Sequence, residues 1–197
     1  MWLLLALFVQ APSFEVGPIQ KQTVMVRGSG GTIGTGVIVD DERVLTVAHV
    51  AQPVLEVCRI ENRIGPDTIH LIQYERCYRA LPLRWDIRND LLLLEVADLD
   101  KREDFKVGPA LKVGQMVHSF AYPGAHGEYF IGRVTSINER GQFAHIDIEL
   151  FEGASGGAVF DSENRLVGIV MHLVTGNSHI NGIIRVRTKE PIKKLLH

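Results

Sequence analysis

Gly153-Ala154-Ser155-Gly156-Gly157, running directly into Ala158-Val159-Phe160, is the stretch from which this chain is best read. Glycines on both sides of a serine free the backbone for a tight turn whose N–H groups can converge on one point. A serine hydroxyl is a poor nucleophile at neutral pH and needs a base to take its proton. It also needs donors for the oxyanion that forms on an attacked carbonyl, and the N–H groups of such a turn supply them. By itself the pentapeptide is equally well a Gly/Ser turn and nothing more.

Two further stretches decide between those readings. Thr46-Val47-Ala48-His49-Val50 closes a run that opens at Gly36, and Asn89-Asp90 stands directly before Leu91–Val96 (LLLLEV). A histidine, an aspartate and a serine, each at the border of a strand-like run, are the parts of a charge-oriented nucleophile. In the order His49, Asp90, Ser155, with TVAHV, NDLLLLEV and GASGGAVF around them, the chain resembles the trypsin/chymotrypsin-like serine peptidases. Within them it is most similar to the bacterial trypsin-like or HtrA-type protease domain without a PDZ module. The resemblance runs from about Val24 to the C-terminus. It implies an all-β fold of two six-stranded antiparallel barrels packed face to face, with a catalytic cleft between them. It also implies a serine endopeptidase working through an acyl-enzyme, with peptide or protein substrates and no cofactor.

Each residue type has a chemical reason to be there. Histidine is the side chain that changes charge nearest neutral pH, so His49 can take the serine proton and return it to the leaving amine. Asp90 would accept from the other ring nitrogen and stabilise the imidazolium. Asp86, four residues earlier, competes for that role; Asp90 is preferred because the family's aspartate directly precedes an apolar strand. The N–H groups of Gly153 and Ser155 would form the oxyanion hole. Ala154 stands where zymogen-activated relatives carry an aspartate that pairs with a new N-terminal ammonium. The turn is therefore expected to be held by packing and backbone hydrogen bonds alone, and activity is not expected to require a cut that exposes a new N-terminus.

By alignment to the serine, the substrate pocket involves Glu149, Leu150, Phe151 and Glu152 together with the strand Val170–Leu173, which brings Met171, His172 and Leu173. Glu149 occupies the position of a basic-selecting carboxylate but reads rather as an exposed strand-end glutamate. His172 could recognise an acidic or amide side chain. Family members with that preference, however, carry their histidine nearer the position of Gly168 and a threonine where Leu150 stands, so no residue is assigned to specificity.

The 197 residues, 46% hydrophobic and 22% charged, fit an ordinary globular chain of one or two domains. A net charge of −2 with scattered Lys and Arg gives nucleic acid nothing to recognise, and Lys193-Lys194 read as a helix end favoured by the dipole. The eight histidines lack metal-ligand spacing, so no metal is expected. Cys58 and Cys77 could form one bridge or be two buried thiols, and the free-thiol state is preferred here. Trp2–Val9 (WLLLALFV) is too short to span a bilayer. With residues 1–15 it reads as a signal or anchor segment, favouring a secreted or periplasmic location and leaving membrane association open. A strand or short helix packed on the barrel is the alternative.

Short runs punctuated by Gly, Pro, Asn and Asp predict many strands: Gln22–Arg27, Thr35–Val39, Arg43–Thr46, Val54–Ile60, Thr68–Tyr74, Leu91–Val96, Gln115–Ala121, Glu128–Ile137, Ala144–Ile148, Gly157–Phe160, Leu166–Leu173 and Gly182–Val186. Asp40-Asp41 reads as a hairpin turn. The charge-rich stretch Ala97–Lys112 is the candidate linker, separating an N-terminal barrel over about 18–100 from a C-terminal one over about 113–187 inside a peptidase domain of 16–197. A helix over about 188–196 follows, capped by Thr188 with Pro191 in its first turn. The functional alternatives are a protease-like scaffold that binds without cutting, against which the intact His, Asp and Ser count, and a viral-type polyprotein-processing enzyme with the same mechanism.

Overall fold

A computed structural model describes residues 14–28, 30–50, 55–64, 71–97, 99, 106–148, 150–173 and 183–197. Strands β1 (Thr23–Gly28), β2 (Ile33–Ile38), β3 (Arg43–Thr46), β4 (Leu55–Ile64), β5 (Leu71–Asp86) and β6 (Leu91–Val96) close into one antiparallel barrel in the order β1-β2-β3-β6-β5-β4. Strands β7 (Met116–Ala121), β8 (Glu128–Ile137), β9 (Phe143–Asp147), β10 (Ala158–Phe160), β11 (Leu166–Leu173) and β12 (Ile183–Thr188) close the second, in the order β10-β11-β12-β9-β8-β7. Helix α1 (Val16–Gln22) precedes the first barrel and α2 (Lys189–Leu196) follows the second. This is the two-barrel all-β fold that the sequence implied.

The apolar run of β6 explains where the core sits. Leu91, Leu92, Leu93 and Leu94 are all at most 1% exposed, so the strand is buried on both faces. Burying each such side chain stabilises the fold by about 1.5–3 kcal/mol. The core around β6 does not stop at its own barrel. It takes in Ile192 and Leu195 of α2, and Phe120, Tyr122, Ala158, Phe160, Leu166 and Ile169 from the second barrel. A separate cluster built on Val117, Val134, Ile146, Val159 and Val170 fills the interior of the second barrel. The Asp40-Asp41 turn also forms as expected: the Asp40 carboxylate accepts from the Glu42 N–H and from Arg43 Nε, closing β2 onto β3.

Four features depart from the sequence reading. First, β5 runs 16 residues to Asp86, far past the strand expected to end at Tyr74. Its charged residues and Pro82 masked it, and the proline is accommodated where the β5–β6 register shifts between Pro82 and Arg84. Second, α1 was not foreseen. It is seven residues long and contains Gly17 and Pro18, too short for a helical period to register, and it is fixed by the fully buried Ile19, whose carbonyl accepts from Thr23 Oγ1. Third, Cys58 and Cys77 are directly opposed in the β4–β5 ladder and joined in a disulfide, which overturns the preference for free thiols. A 19-residue separation gives no hint of opposition until the two strands are known to pair. Fourth, Thr188 is the N-cap of α2, but its hydroxyl donates to the Gly141 carbonyl and makes no cap bond. The far end of that helix is held by Arg84 Nη1, which donates to the Leu195 carbonyl at 2.8 Å.

Residues 1–13 and, within the candidate linker, residues 98 and 100–105 lie outside the described residues. The end of the linker runs beside β11: the Gly108 N–H donates to the Leu166 carbonyl, and the Leu166 N–H to the Lys106 carbonyl.

Candidate active site

β3 ends in a single 3₁₀ turn, Ala48–Val50, that carries His49 out of the barrel wall. Asp90 closes a second such turn, Ile87–Asn89, in the left-handed region at φ 53°, a conformation that Asp tolerates better than most residues. Three bonds tie the two turns together. The Ala48 N–H donates to the Asp90 carbonyl at 3.2 Å, and the His49 N–H to Asp90 Oδ1 at 3.0 Å. His49 Nδ1 lies 2.7 Å from Asp90 Oδ2. A carboxylate only accepts, so this bond assigns the proton to Nδ1 and leaves Nε2 as the basic nitrogen. The imidazole side chain is 41% exposed and the carboxylate 25%, so the pair contributes orientation far more than stability.

Asp86 is held elsewhere. Its Oδ1 accepts from the Asn89 N–H at 3.1 Å and its Oδ2 from Asn89 Nδ2 at 2.5 Å, making it the N-cap of the turn that presents Asp90. The second barrel steadies the same turn. Arg187, on β12, is 2% exposed, donates from Nε to the Asn89 carbonyl at 2.9 Å, and lies 3.8 Å above the Phe143 ring.

The serine segment is a backbone structure. Phe151–Ala154 is a β-turn closed by the Ala154 N–H on the Phe151 carbonyl at 3.1 Å, with Gly153 third at φ +101°. That is a type II turn, in which the third position favours glycine. The Glu152 carbonyl accepts from the Gly124 N–H at 3.0 Å, which sets the orientation of the Glu152–Gly153 peptide. A Cβ on Gly153 would come within 2.5 Å of the Tyr122 carbonyl oxygen. Gly156, at φ +88°, lies so close to β2 and β3 that a Cβ would overlap the Thr35 carbonyl and the Thr46 hydroxyl. Among the described residues, no group accepts from the N–H of Gly153 or of Ser155.

The two halves of the site meet on β2. The Ser155 carbonyl accepts from the Thr35 N–H at 2.7 Å. Gly34 is flanked by Val50 and the same carbonyl: a Cβ on it would lie 2.7 Å from Val50 Cγ1 and 3.2 Å from the Ser155 oxygen. The residue after His49 and the backbone of Ser155 therefore sit against one glycine. The Thr35 hydroxyl donates to the Gly153 carbonyl at 2.7 Å and accepts from the Tyr122 N–H at 3.0 Å. This corrects the expectation that packing and backbone bonds alone hold the turn. Nothing flagged Thr35 in advance except a hydroxyl between two glycines in an otherwise apolar strand, Gly34-Thr35-Gly36.

Of the residues expected around the substrate pocket, Leu150 and Met171 are buried, Phe151 is 56% exposed, and Glu152 is exposed. Glu149 lies outside the described residues, as do the side chains of His172 and Leu173. Glu56 comes close to Cys58 and Cys77, but the disulfide leaves no thiolate there to bind a metal.

Residues 34–169 match the model of the trypsin-like peptidase domain. The chain is 27% identical over 181 residues to a probable periplasmic serine endoprotease, DegP-like, from Marinomonas sp.. That match covers 86% of this chain and 36% of the relative, so the chain spans about a third of that protein's length. Among solved structures, it resembles the inactive form of a protease from M. tuberculosis with a TM-score of 0.70 and 19% identity, over 90% of this chain and 86% of the other. It resembles a serine endoprotease from Yersinia pestis with a TM-score of 0.73 and 21% identity, over 91% and 62% of the two chains. At those identities the two structures speak to the fold alone. The family match takes in strands of both barrels and all three candidate residues, and the chain belongs to the trypsin-like peptidase domain family.

Proposed function

We propose that this chain hydrolyses peptide bonds with Ser155 as nucleophile, His49 as general base and acid, and Asp90 as the group that orients the imidazole. The observation that carries this is the 2.7 Å bond from His49 Nδ1 to Asp90, which leaves Nε2 free of its proton. His49 Nε2 takes the proton from Ser155 Oγ as the oxygen attacks the scissile carbonyl carbon. The negative charge that develops on the carbonyl oxygen is met by the N–H groups of Gly153 and Ser155. The imidazolium returns its proton to the leaving nitrogen as the C–N bond breaks. The acyl-enzyme then reacts with water by the same route in reverse. Because the base must be neutral to act, activity falls on acidification.

The substrate is a peptide or protein segment laid in the cleft beside Leu150–Glu152 and Met171–Leu173. The location is secreted or periplasmic. Three things support this: the wording of the relative's name, the apolar Trp2–Val9 run, and a disulfide of the kind that persists in oxidising compartments. No helix among the described residues is long and apolar enough to cross a membrane.

A fluorophosphonate probe tests the assignment. It is expected to label the intact chain at Ser155, and Ser155→Ala is expected to abolish both labelling and casein hydrolysis while leaving the folded protein intact. Hydrolysis that persists in purified Ser155→Ala would reject the nucleophile.

A further inference from the structure

The site reading above leaves one question: what fixes the oxyanion turn in a chain whose Ala154 cannot form the ion pair that does so in zymogen-activated relatives. The turn has a known alternative. Type I and type II turns share their end residues and differ by a flip of the central peptide, here Glu152–Gly153. In the type II form the Glu152 carbonyl points to the Gly124 N–H and the Gly153 N–H points the opposite way; a flip would put the Glu152 carbonyl where that donor stands.

Thr35 binds this turn on three sides from the other barrel. Its N–H donates to the Ser155 carbonyl, its hydroxyl donates to the Gly153 carbonyl, and the same hydroxyl accepts from the Tyr122 N–H. Its own carbonyl is held by Thr46 Oγ1 at 2.7 Å. Both threonines are fully buried, so no water competes for these bonds. Tyr122 also begins the Tyr122–Gly124 segment whose last N–H holds the Glu152 carbonyl. One hydroxyl thus joins the peptide after the oxyanion donor to the segment that sets the peptide before it.

We propose that Thr35 is the positioning residue of the oxyanion hole, and that its side-chain hydroxyl does in this chain what an N-terminal ion pair does elsewhere. The inference rests on the catalytic roles proposed for Ser155 and Gly153. Thr35 touches no substrate and acts only through the turn.

The test compares Thr35→Val, which keeps the shape and removes the hydroxyl, with Thr35→Ser, which keeps the hydroxyl. Thr35→Ala serves as a second hydroxyl-free variant if the valine protein does not fold. Turnover is normalised to sites titrated with a fluorophosphonate, and a peptide boronate probes the oxyanion hole in its charged state. Losing one oxyanion donor lowers turnover on the order of 10²–10³-fold in enzymes where it was measured. Thr35→Val is expected to lower kcat per titrated site by at least about tenfold with KM within twofold, and to weaken the boronate in parallel. Thr35→Ser is expected to restore both to within a few-fold. A crystal structure of the hydroxyl-free variant is expected to find the Glu152–Gly153 peptide flipped or in two orientations. If kcat per site and boronate affinity stay at the parent level, or if serine fails to restore them, Thr35 is only structural. The crystal structure separates this from an error in the catalytic assignment. A parent protein that neither labels nor cuts would refute the triad, whereas an unchanged Gly153 peptide in the variant would refute Thr35 whatever the activity.

Discussion

The two barrels contribute to the site in different ways. The first barrel supplies side chains: His49 and Asp90 sit on adjoining turns and bind each other through bonds made within that barrel. The second supplies Ser155 and a backbone frame around it: the N–H groups and two positive-φ glycines of Phe151–Gly157, tied across the interface by the Thr35 hydroxyl and N–H. The His49–Asp90 bonds close within one barrel, with Arg187 of the other bracing the Asn89 carbonyl, whereas the serine segment is tied directly to the opposite barrel. The first barrel is also the one with a covalent tie, between the opposed Cys58 and Cys77. Backbone chemistry depends on long-range neighbours because a peptide group has no side-chain torsions with which to find its partner.

The sharpest way to break that comparison is at the side-chain half. Asp90→Asn keeps the shape but favours the wrong imidazole tautomer, and comparable changes lower kcat about 10⁴-fold. Asp86→Asn is expected to cost no more than about tenfold, because the Asp86 carboxylate bonds to Asn89 and acts through the turn. Both are read as kcat on a protein substrate, and the opposite ranking would move the acid to Asp86. A smaller effect is expected from the disulfide. Replacing Cys58 and Cys77 together by alanine removes a cross-link over 19 residues and should lower stability by about 3 kcal/mol in urea titration. Turnover per titrated site should stay within a few-fold, since the first-barrel bonds to the serine segment come from Thr35 on β2. A tenfold fall per site would mean that the barrels do not carry their parts separately.

The same contrast governs what could be read from the chain. His49, Asp90 and Ser155 stood out as candidates because a histidine, an aspartate and a serine are chemically distinctive and sit at the borders of apolar runs, and the structure brings His49 and Asp90 together. Asp86 was resolved against Asp90 by its neighbour Leu91, and the structure gives Asp86 a capping role that accounts for its presence. Thr35 was not legible. It lies 118 residues from Gly153, and its hydroxyl looks like any other in a strand until the second barrel is placed. The Cys58–Cys77 pairing failed for the same reason, because β5 was expected to end at Tyr74 and Cys77 had no strand to stand on. Strands with a clean apolar pattern, such as Leu91–Val96 and Leu166–Leu173, were placed with their observed limits. The amphipathic and charged β5 was not.

The smallest expected effect comes from β7, on the face turned away from the second barrel's own interior. His118 on β7 is fully buried, with Nε2 2.9 Å from the Asp161 carbonyl and Nδ1 3.1 Å from the Tyr129 hydroxyl. A carbonyl can only accept, so the proton belongs on Nε2, and Nδ1 of the neutral ring then accepts a hydrogen bond from the Tyr129 hydroxyl. Phe14 and Phe160 close around the ring. Burial among these groups lowers the imidazole pKa, an effect only partly opposed by the bond to the Asp161 carbonyl and by the Asp161 charge. The unfolded chain therefore takes up its proton at higher pH than the folded one. The contribution of neutral His118 to stability is complete above the unfolded value of about 6.5 and is lost as the pH falls from there through the folded value. The urea midpoint of the parent protein should accordingly decline between pH 7.5 and 5 more steeply than that of His118→Gln, which cannot take up the proton. Parallel declines would mean that the acid sensitivity of the barrel comes from other groups, and that His118 is a packing residue whose charge state is immaterial.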